Sequence, residues 1–307
     1  MPDLLPLISP LDRALFLRAH PFFQVEPRSL LAIAEHSTER RFGRGETLIE
    51  ADEEVRSIFI LGEGSVESFY EGARLFEVGS PGAIGTLALL AGRSIGSSFV
   101  ACEETVALEL DADVYLQILE DHFPLVLSLT VNLARDIARD EEIARVAPGV
   151  VEAPALSPVT LRSELDLVDR LSLVRRVRLF SGANLSLLAE LFRGDSERHY
   201  ADGESICRAG QVADSFEVLV EGLVRLEDAG GSRPGFVDAV GVVGWRDLFT
   251  GKPRVWSATA CGPVRTLHVP RELYTDVLED HFEHVLAVLG QLARRYLEVR
   301  TLVAATT

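Results

Sequence analysis

From Ser215 to Glu221 the chain alternates: Phe216, Val218 and Val220 fall on one side of an extended strand, and Glu217, Leu219 and Glu221 on the other. Short stretches of this kind recur. Glycines at 45, 62, 64, 72, 79 and 82 interrupt them at spacings too small for long helices. Many short strands with glycine turns predict a β-barrel or roll. A helical period brackets the strands, with a short helix before them (Pro27 to His36; Ser186 to Phe192) and a longer one after (Pro124 to about Arg145; Glu283 to about Val303). Ser9 caps a further helix over Leu11 to Ala19, with Pro10 at its first position. Ser157 and Pro158 predict the same device for a helix running through Leu165, Val168 and Leu171 to about Arg176.

The pattern occurs twice. Phe42-Gly-Arg-Gly-Glu-Thr-Leu-Ile49 reads like Tyr200-Ala-Asp-Gly-Glu-Ser-Ile-Cys207, and Gly64-Ser-Val66 like Gly222-Leu-Val224, at an offset of 158. Gly85 matches Gly244, Ala101-Cys102 matches Ala260-Cys261, and Leu119-Glu-Asp-His-Phe123 matches Leu278-Glu-Asp-His-Phe282, now 159 apart. Leu133-Ala-Arg135 and Leu292-Ala-Arg294 carry the match into the closing helix. So many pairs in one order are a repeat. The class is α+β: two repeated antiparallel β-roll (jelly-roll-like) domains, each flanked by helices, with a long closing helix. Domain 1 spans 1–147 and domain 2 spans 159–307. Between them lies a proline-rich linker, 148–158, whose prolines cannot continue a helix.

Composition narrows the function. The chain of 307 residues is 47% hydrophobic and 25% charged, the balance of a globular protein with room for two cores. Its formal net charge is −17, from 30 Lys+Arg against 47 Asp+Glu. A duplex-DNA binder needs a basic face to displace counterions, and this global field repels nucleic acid and anionic membrane. The N-terminus has no basic and apolar leader, no apolar run is long enough to span a bilayer, and Cys102, Cys207 and Cys261 form neither a disulfide framework nor a metal pair. The expectation is a cytoplasmic protein with no metal, membrane or nucleic-acid partner. No nucleophile elbow, P-loop or paired-histidine zinc motif appears, which predicts a protein that is not an enzyme.

With the repeat in view, the chain resembles the cyclic-nucleotide-binding domains of catabolite-activator-type regulators, kinase regulatory subunits and gated channels. The resemblance rests on Phe22-Phe23, Gly45-Glu46-x-Leu48-Ile49 and Ile58-Phe-Ile-Leu-x-Glu-Gly64-x-Val66 in copy 1. In copy 2 it rests on Phe180, Gly203-Glu204-x-Ile206 and Val218-Leu-Val-Glu-Gly222-x-Val224. It covers residues 15–145 and 172–300. It implies a phosphate-binding cassette in each copy, Phe-Gly-Glu-x-Ala-Leu-Leu-x-x-x-Pro-Arg-x-Ala. There a glycine turn and short helix offer backbone N–H groups to a cyclic phosphate, an arginine pairs with it, and a glutamate accepts from the ribose hydroxyl.

Both cassettes depart from that pattern. Copy 1 keeps Gly85 and Ala88-Leu-Leu90, with Leu87 at the variable position, but Thr86 replaces the glutamate and Ile95 the arginine; Arg93 is two positions early. Copy 2 keeps Pro253-Arg254, followed by Val255 and Trp256, while Trp245 follows Gly244 where the glutamate should stand. A buried phosphate without its counter-charge is costly. Each residue has two readings. Arg254 captures an anion, or is a surface arginine paired with Asp247 or Glu298. Trp245 and Trp256 stack on a base, or fill the vacated pocket. Thr86, Ser94, Ser97 and Ser98 bind an uncharged ligand, or are remnants of an unused turn. His122 and His281 are matched and precede helices beside acids, and both read as structural.

The last helix carries Leu286, Leu289, Ala293, Tyr296 and Val303 at coiled-coil spacing, interrupted by Arg300. Such a seam predicts a homodimer through the C-terminal helix, or packing on its own roll or on the first copy's helix. The chain stops at Thr307, leaving no room for the helix-turn-helix that follows in activator-type relatives. Two functions stay in view. One is a regulatory adaptor that binds another protein, has no cofactor and has lost or altered its nucleotide binding. The other is a true sensor that takes a cyclic nucleotide or other small anion in domain 2. A DNA-binding regulator is disfavoured by charge.

Overall fold

A computed structural model describes residues 9–20, 23, 26–51, 53–70, 73–91, 97–144, 165–194, 196–228 and 235–306. The linker 148–158, the helix start at Ser157-Pro158, Phe22, and the cassette residues Arg93, Ser94 and Ile95 lie outside them.

Copy 1 opens with α1 (Pro10–Ala19), started by a full capping box. The Ser9 hydroxyl accepts from the Asp12 N–H, and the Asp12 carboxylate accepts from the Ser9 N–H. After α2 (Pro27–His36) come β1 (Thr38–Phe42), β2 (Thr47–Ile49), β3 (Ser57–Glu63), β4 (Ser65–Tyr70), β5 (Ala73–Gly79), β6 (Gly82–Ile84), helix α3 (Thr86–Ala91), β7 (Ser97–Ala101) and β8 (Thr105–Asp111). These pair antiparallel into two four-stranded sheets, ordered β1-β8-β3-β6 and β2-β7-β4-β5. The non-sequential order is that of a roll. Its core is an apolar cluster including Phe42, Phe59, Leu61, Val66, Ile84, Phe99 and Ala107. Helices α4 (Ala112–Asp121) and α5 (Phe123–Ala144) close the copy, and His122 sits at the joint, its N–H bonded to the Leu119 carbonyl.

Copy 2 repeats the plan: α6 (Leu167–Val174), a single 3-10 turn at Arg178–Phe180, α7 (Leu185–Phe192), β9 (Glu197–Tyr200), β10 (Ser205–Cys207), β11 (Ser215–Asp228), β12 (Gly235–Asp238), β13 (Val242–Val243), α8 (Asp247–Thr250), β14 (Trp256–Pro270), α9 (Arg271–Asp280) and α10 (Phe282–Thr306). Here β11 and β14 each run through both halves of the roll, so six strands form one sheet. Helix α6 does not continue from Ser157. The backbone at Asp166 is extended, and the Asp166 side chain caps α6 by accepting from the Asp169 N–H.

The alternation of β11 is not amphipathic. Glu217 is buried like its neighbours, at one polar spot beside the apolar cluster of Leu219, Val224, Leu226 and Val264 that fills copy 2. Strand register places Tyr200, Glu217 and Thr266 where copy 1 has Phe42, Phe59 and Ala107. In copy 1 the two phenylalanines meet edge to face at 5.5 Å. In copy 2 the Glu217 carboxylate accepts from the Thr266 hydroxyl at 2.5 Å and pairs with His268 Nδ1 at 2.7 Å. Burial first, then the Glu217 charge, pushes the Tyr200 phenol up to about 12.

Compactness divides the chain differently from the repeat. One unit contains residues 1–133 and 289–305; the other contains 134–288. Each closing helix therefore starts in the unit of its own roll and ends in the other unit. From Leu289 onward the buried apolar side chains described in α10 are Leu289, Leu292, Ala293 and Val299, while Tyr296 and Val303 from the expected seam are half-buried. That apolar stripe is covered within the chain.

Two histidines are buried, His20 in copy 1 and His284 in copy 2. His20 lies between Phe16 and Phe23, with Nε2 3.3 Å from the Gly82 carbonyl. His284 stacks on Phe180 and faces the Tyr274 hydroxyl at 3.4 Å, where copy 1 has Leu125. Burial holds each imidazole down at about 4, against 6.5 when unfolded. The unfolded chain thus binds more protons, and stability is complete above pH 6.5 and falls as the pH drops toward 4. Each histidine is expected to cost about 2 kcal/mol by about pH 5. Denaturant unfolding across that range checks this. His284→Leu should remove its share of the slope, and an unchanged slope would refute the assignment.

Candidate functional site

In copy 2 the cassette is the turn from β13 into α8. Gly244 has φ +86°, a conformation glycine adopts without a Cβ clash. Arg254 is not the surface arginine that its sequence position allowed. It is 5% exposed, and its backbone is pinned to the preceding loop by Arg254 N–H to the Gln211 carbonyl and by Gly210 N–H to the Arg254 carbonyl. Its guanidinium donates to the Ser215 carbonyl and lies 3.5 Å from Asp247 Oδ2. It packs so closely on Gly244 that a Cβ there would overlap Nη1. Glu298 plays no part in these contacts. The arginine expected to read phosphate is thus turned into the protein and held by the chain's own carboxylate and carbonyl.

A second charge pair closes the same turn. Arg246 Nη1 donates to Glu141 Oε1 at 2.9 Å, with side chains 14% and 6% exposed. Glu141 comes from the second half of α5. Asp247 thus stands between two arginines and near Glu141; burial raises its carboxyl, and Arg246 and Arg254 oppose the shift. The four groups compensate one another.

Around them remain two shallow clefts. One, of about 450 Å³ including open solvent, is lined by Cys207, Leu226, Val243, Gly244, Trp245 and Trp256 among others. The other, about 530 Å³ on the same measure, lies under α5 and is lined by Ala138, Glu141, Asp228, Thr250, Val255 and Trp256 among others. Of the five residues predicted from sequence, Gly244, Trp245 and Trp256 line the first, and Val255 and Trp256 the second. Arg254 lines neither. Trp245 meets Phe249 edge-on at 6.5 Å. Sequence reasoning missed Arg246, Glu141 and Leu226. The Arg246–Glu141 pair spans 105 residues, and no local motif signals it.

In copy 1, Gly85 has φ +89°, and a Cβ there would meet the Ser57 carbonyl at 2.9 Å. Thr86 and Leu87 open α3 and are half-buried, and Ser97 begins β7 at 5% exposure. Ser94 and Ile95 lie outside the described residues. Ser68, at the place of Leu226, is fully buried, and its hydroxyl makes no hydrogen bond among the described residues. That polar group was also missed: in a strand that reads Ser-Val-Glu-Ser-Phe-Tyr, only comparison with Leu226 distinguishes it.

Cys102, Cys207 and Cys261 are free and half-buried, and burial pushes the Cys102 and Cys207 thiols up. His281, at the joint of α9 and α10, lies 3.4 Å from the Asn184 amide. Among the described residues no group of His, Cys, Asp and Glu could hold a metal ion. No described helix is long and apolar enough to cross a membrane.

Two β-rolls, each with a glycine turn into a short cassette helix and each followed by a long helix, define a tandem β-roll chain. A family model, the cyclic nucleotide-binding domain, matches residues 39–122 and 197–281. The chain belongs to that family and carries the domain twice. Among solved structures, it is similar to the regulatory subunit of a cAMP-independent protein kinase A from Trypanosoma brucei, at 17% identity, 95% coverage of each chain and TM-score 0.36. The corresponding Trypanosoma cruzi subunit, bound to guanosine, is similar at 16% identity, covering 100% of this chain and 94% of that one, with TM-score 0.33. The N-terminal domain of a transcriptional regulator from Streptomyces coelicolor matches at 28% identity over 41% of this chain and 93% of that one, with TM-score 0.36. Family membership rests on the two matched regions, not on these low scores. No curated protein matches.

Proposed function

We propose that this protein is a non-enzymatic cytoplasmic regulatory adaptor that binds another protein through its tandem domains and has lost ordinary cyclic-nucleotide binding. The observation that carries this reading is the state of Arg254: buried, paired with Asp247 and bonded to the Ser215 carbonyl. A cyclic phosphate would have to displace both partners and bring a third negative group beside Asp247 and Glu141, without recovering their desolvation. Thr86 and Trp245 offer no carboxylate to a ribose hydroxyl in either copy. The net charge of −17 argues against a DNA partner. The reading needs no cofactor.

A second reading keeps a sensor. The clefts beside Trp245 and Trp256 favour it, since an aromatic wall suits a planar ligand. Calorimetric titration of the full chain with cyclic mono- and dinucleotides separates the two. The adaptor reading predicts no saturable heat. Saturable binding that Arg254→Ala abolishes would replace it with the sensor.

A further inference from the structure

Two equivalent arginines make equivalent contacts with two equivalent carbonyls. Arg135 Nε donates to the Thr250 carbonyl at 2.8 Å, and Arg294 Nη1 donates to the Ala91 carbonyl at 2.9 Å. Arg135 and Arg294 are 159 apart in the repeat, and so are Thr250 and Ala91. Thr250 ends α8 and Ala91 ends α3, the two cassette helices. Carbonyls in a last helical turn have no partner within the helix, and an arginine supplies one. Each donor comes from the closing helix that starts at the other copy's roll.

The surroundings fit a built contact. A Cβ on Gly290 would lie 2.6 Å from the Leu90 carbonyl, so α10 can approach α3 this closely only because that residue is glycine. A Cβ on Gly251 would lie 3.3 Å from Arg135 Nη2. A second contact follows at the matched positions 141 and 300. Glu141 pairs with Arg246, and Arg300 lies 5.5 Å from the centre of the Phe76 ring.

We propose that these arginines form a reciprocal latch: each cassette helix is held by the closing helix of the other copy, and release at one cassette loosens a helix anchored in the other unit. The latch would pass a disturbance between the copies whether it came from a small molecule or from a bound protein. The charge-assisted hydrogen bond at each cassette is by itself enough to change local opening by about tenfold.

Hydrogen exchange on the full chain tests this with Arg135→Met and Arg294→Met, which keep an unbranched apolar stem. Arg135→Met is expected to speed exchange about tenfold over 247–252 and 134–144, and severalfold over 123–133, with 86–91 at the wild-type rate. Arg294→Met should act on 86–91 and 289–303, leaving 247–252 unchanged. Acceleration in the cassette of the same copy, or in neither cassette, overturns the latch. Acceleration that stops at residue 134 overturns the coupling. If either variant also loses protection in strands 57–63 or 215–228, the Lys variants are read instead. They keep one donor, and should show smaller increases at the same crosswise peptides; wild-type rates there would equally overturn the proposal.

Discussion

Gly222→Ala is expected to destabilise the second unit by about 3 kcal/mol or more, well beyond the effect of the same change at Gly203. Both glycines have positive φ, +99° and +78°, so both substitutions carry the left-handed backbone cost of about 1–2 kcal/mol. They differ in space. A Cβ at Gly203 meets nothing within 4 Å, whereas at Gly222 it would lie 2.5 Å from the Pro263 carbonyl and 2.9 Å from Val264 Cα. Those are backbone atoms of the long strand β14, which cannot rotate away as a side chain can. The repeat gives an internal copy of the experiment. At Gly64 a Cβ would lie 2.7 Å from the Glu104 carbonyl, and at Gly45 it would again meet nothing. Denaturant midpoints of the four alanine variants check the prediction. Equal losses at Gly222 and Gly203 would contradict it.

The second large effect is expected at Arg254. Arg254→Met should cost about 3 kcal/mol, because it leaves the Ser215 carbonyl without its donor and Asp247 with one cation fewer in a buried setting. Adding Asp247→Asn should recover part of the loss, since the unpaired charge is then gone. An arginine held ready for an incoming phosphate behaves otherwise: its removal relieves an unpaired buried charge and leaves the protein as stable or more so. A stable Arg254→Met would therefore contradict the account of the cassette.

The fold was legible because its signals are local and doubled. Gly45 with Gly203, Gly64 with Gly222 and Gly85 with Gly244 mark bends whose positive φ values recur in both copies. Ser9 and Pro10 announced α1, and Asp12 completes its capping box. The start of α6 was not seen, because Asp166 supplies a cap nearer its apolar stripe. The polar spot inside copy 2 was not legible: alternation puts Glu217 on one side of β11 without saying what it meets, and its partners Thr266 and His268 lie some fifty residues on. The site was only half legible. Sequence picked out Gly244, Arg254 and the tryptophans, because they occupy cassette positions. It had no means of finding Glu141, which reaches Arg246 from a helix counted with the first copy. Exchange of closing helices is a tertiary fact: the repeat fixes where each helix lies in the chain, not which roll its second half covers.

The central claim is that Arg254 is already occupied by the protein. Nuclear magnetic resonance of arginine-labelled protein reads this directly, through the Nε–Hε signal of Arg254 assigned by its loss in Arg254→Met. The account predicts a sharp, exchange-protected signal that does not move when cyclic AMP or cyclic GMP is added in excess. A signal broadened by solvent exchange in the free protein, or one that shifts and saturates with nucleotide, would contradict it.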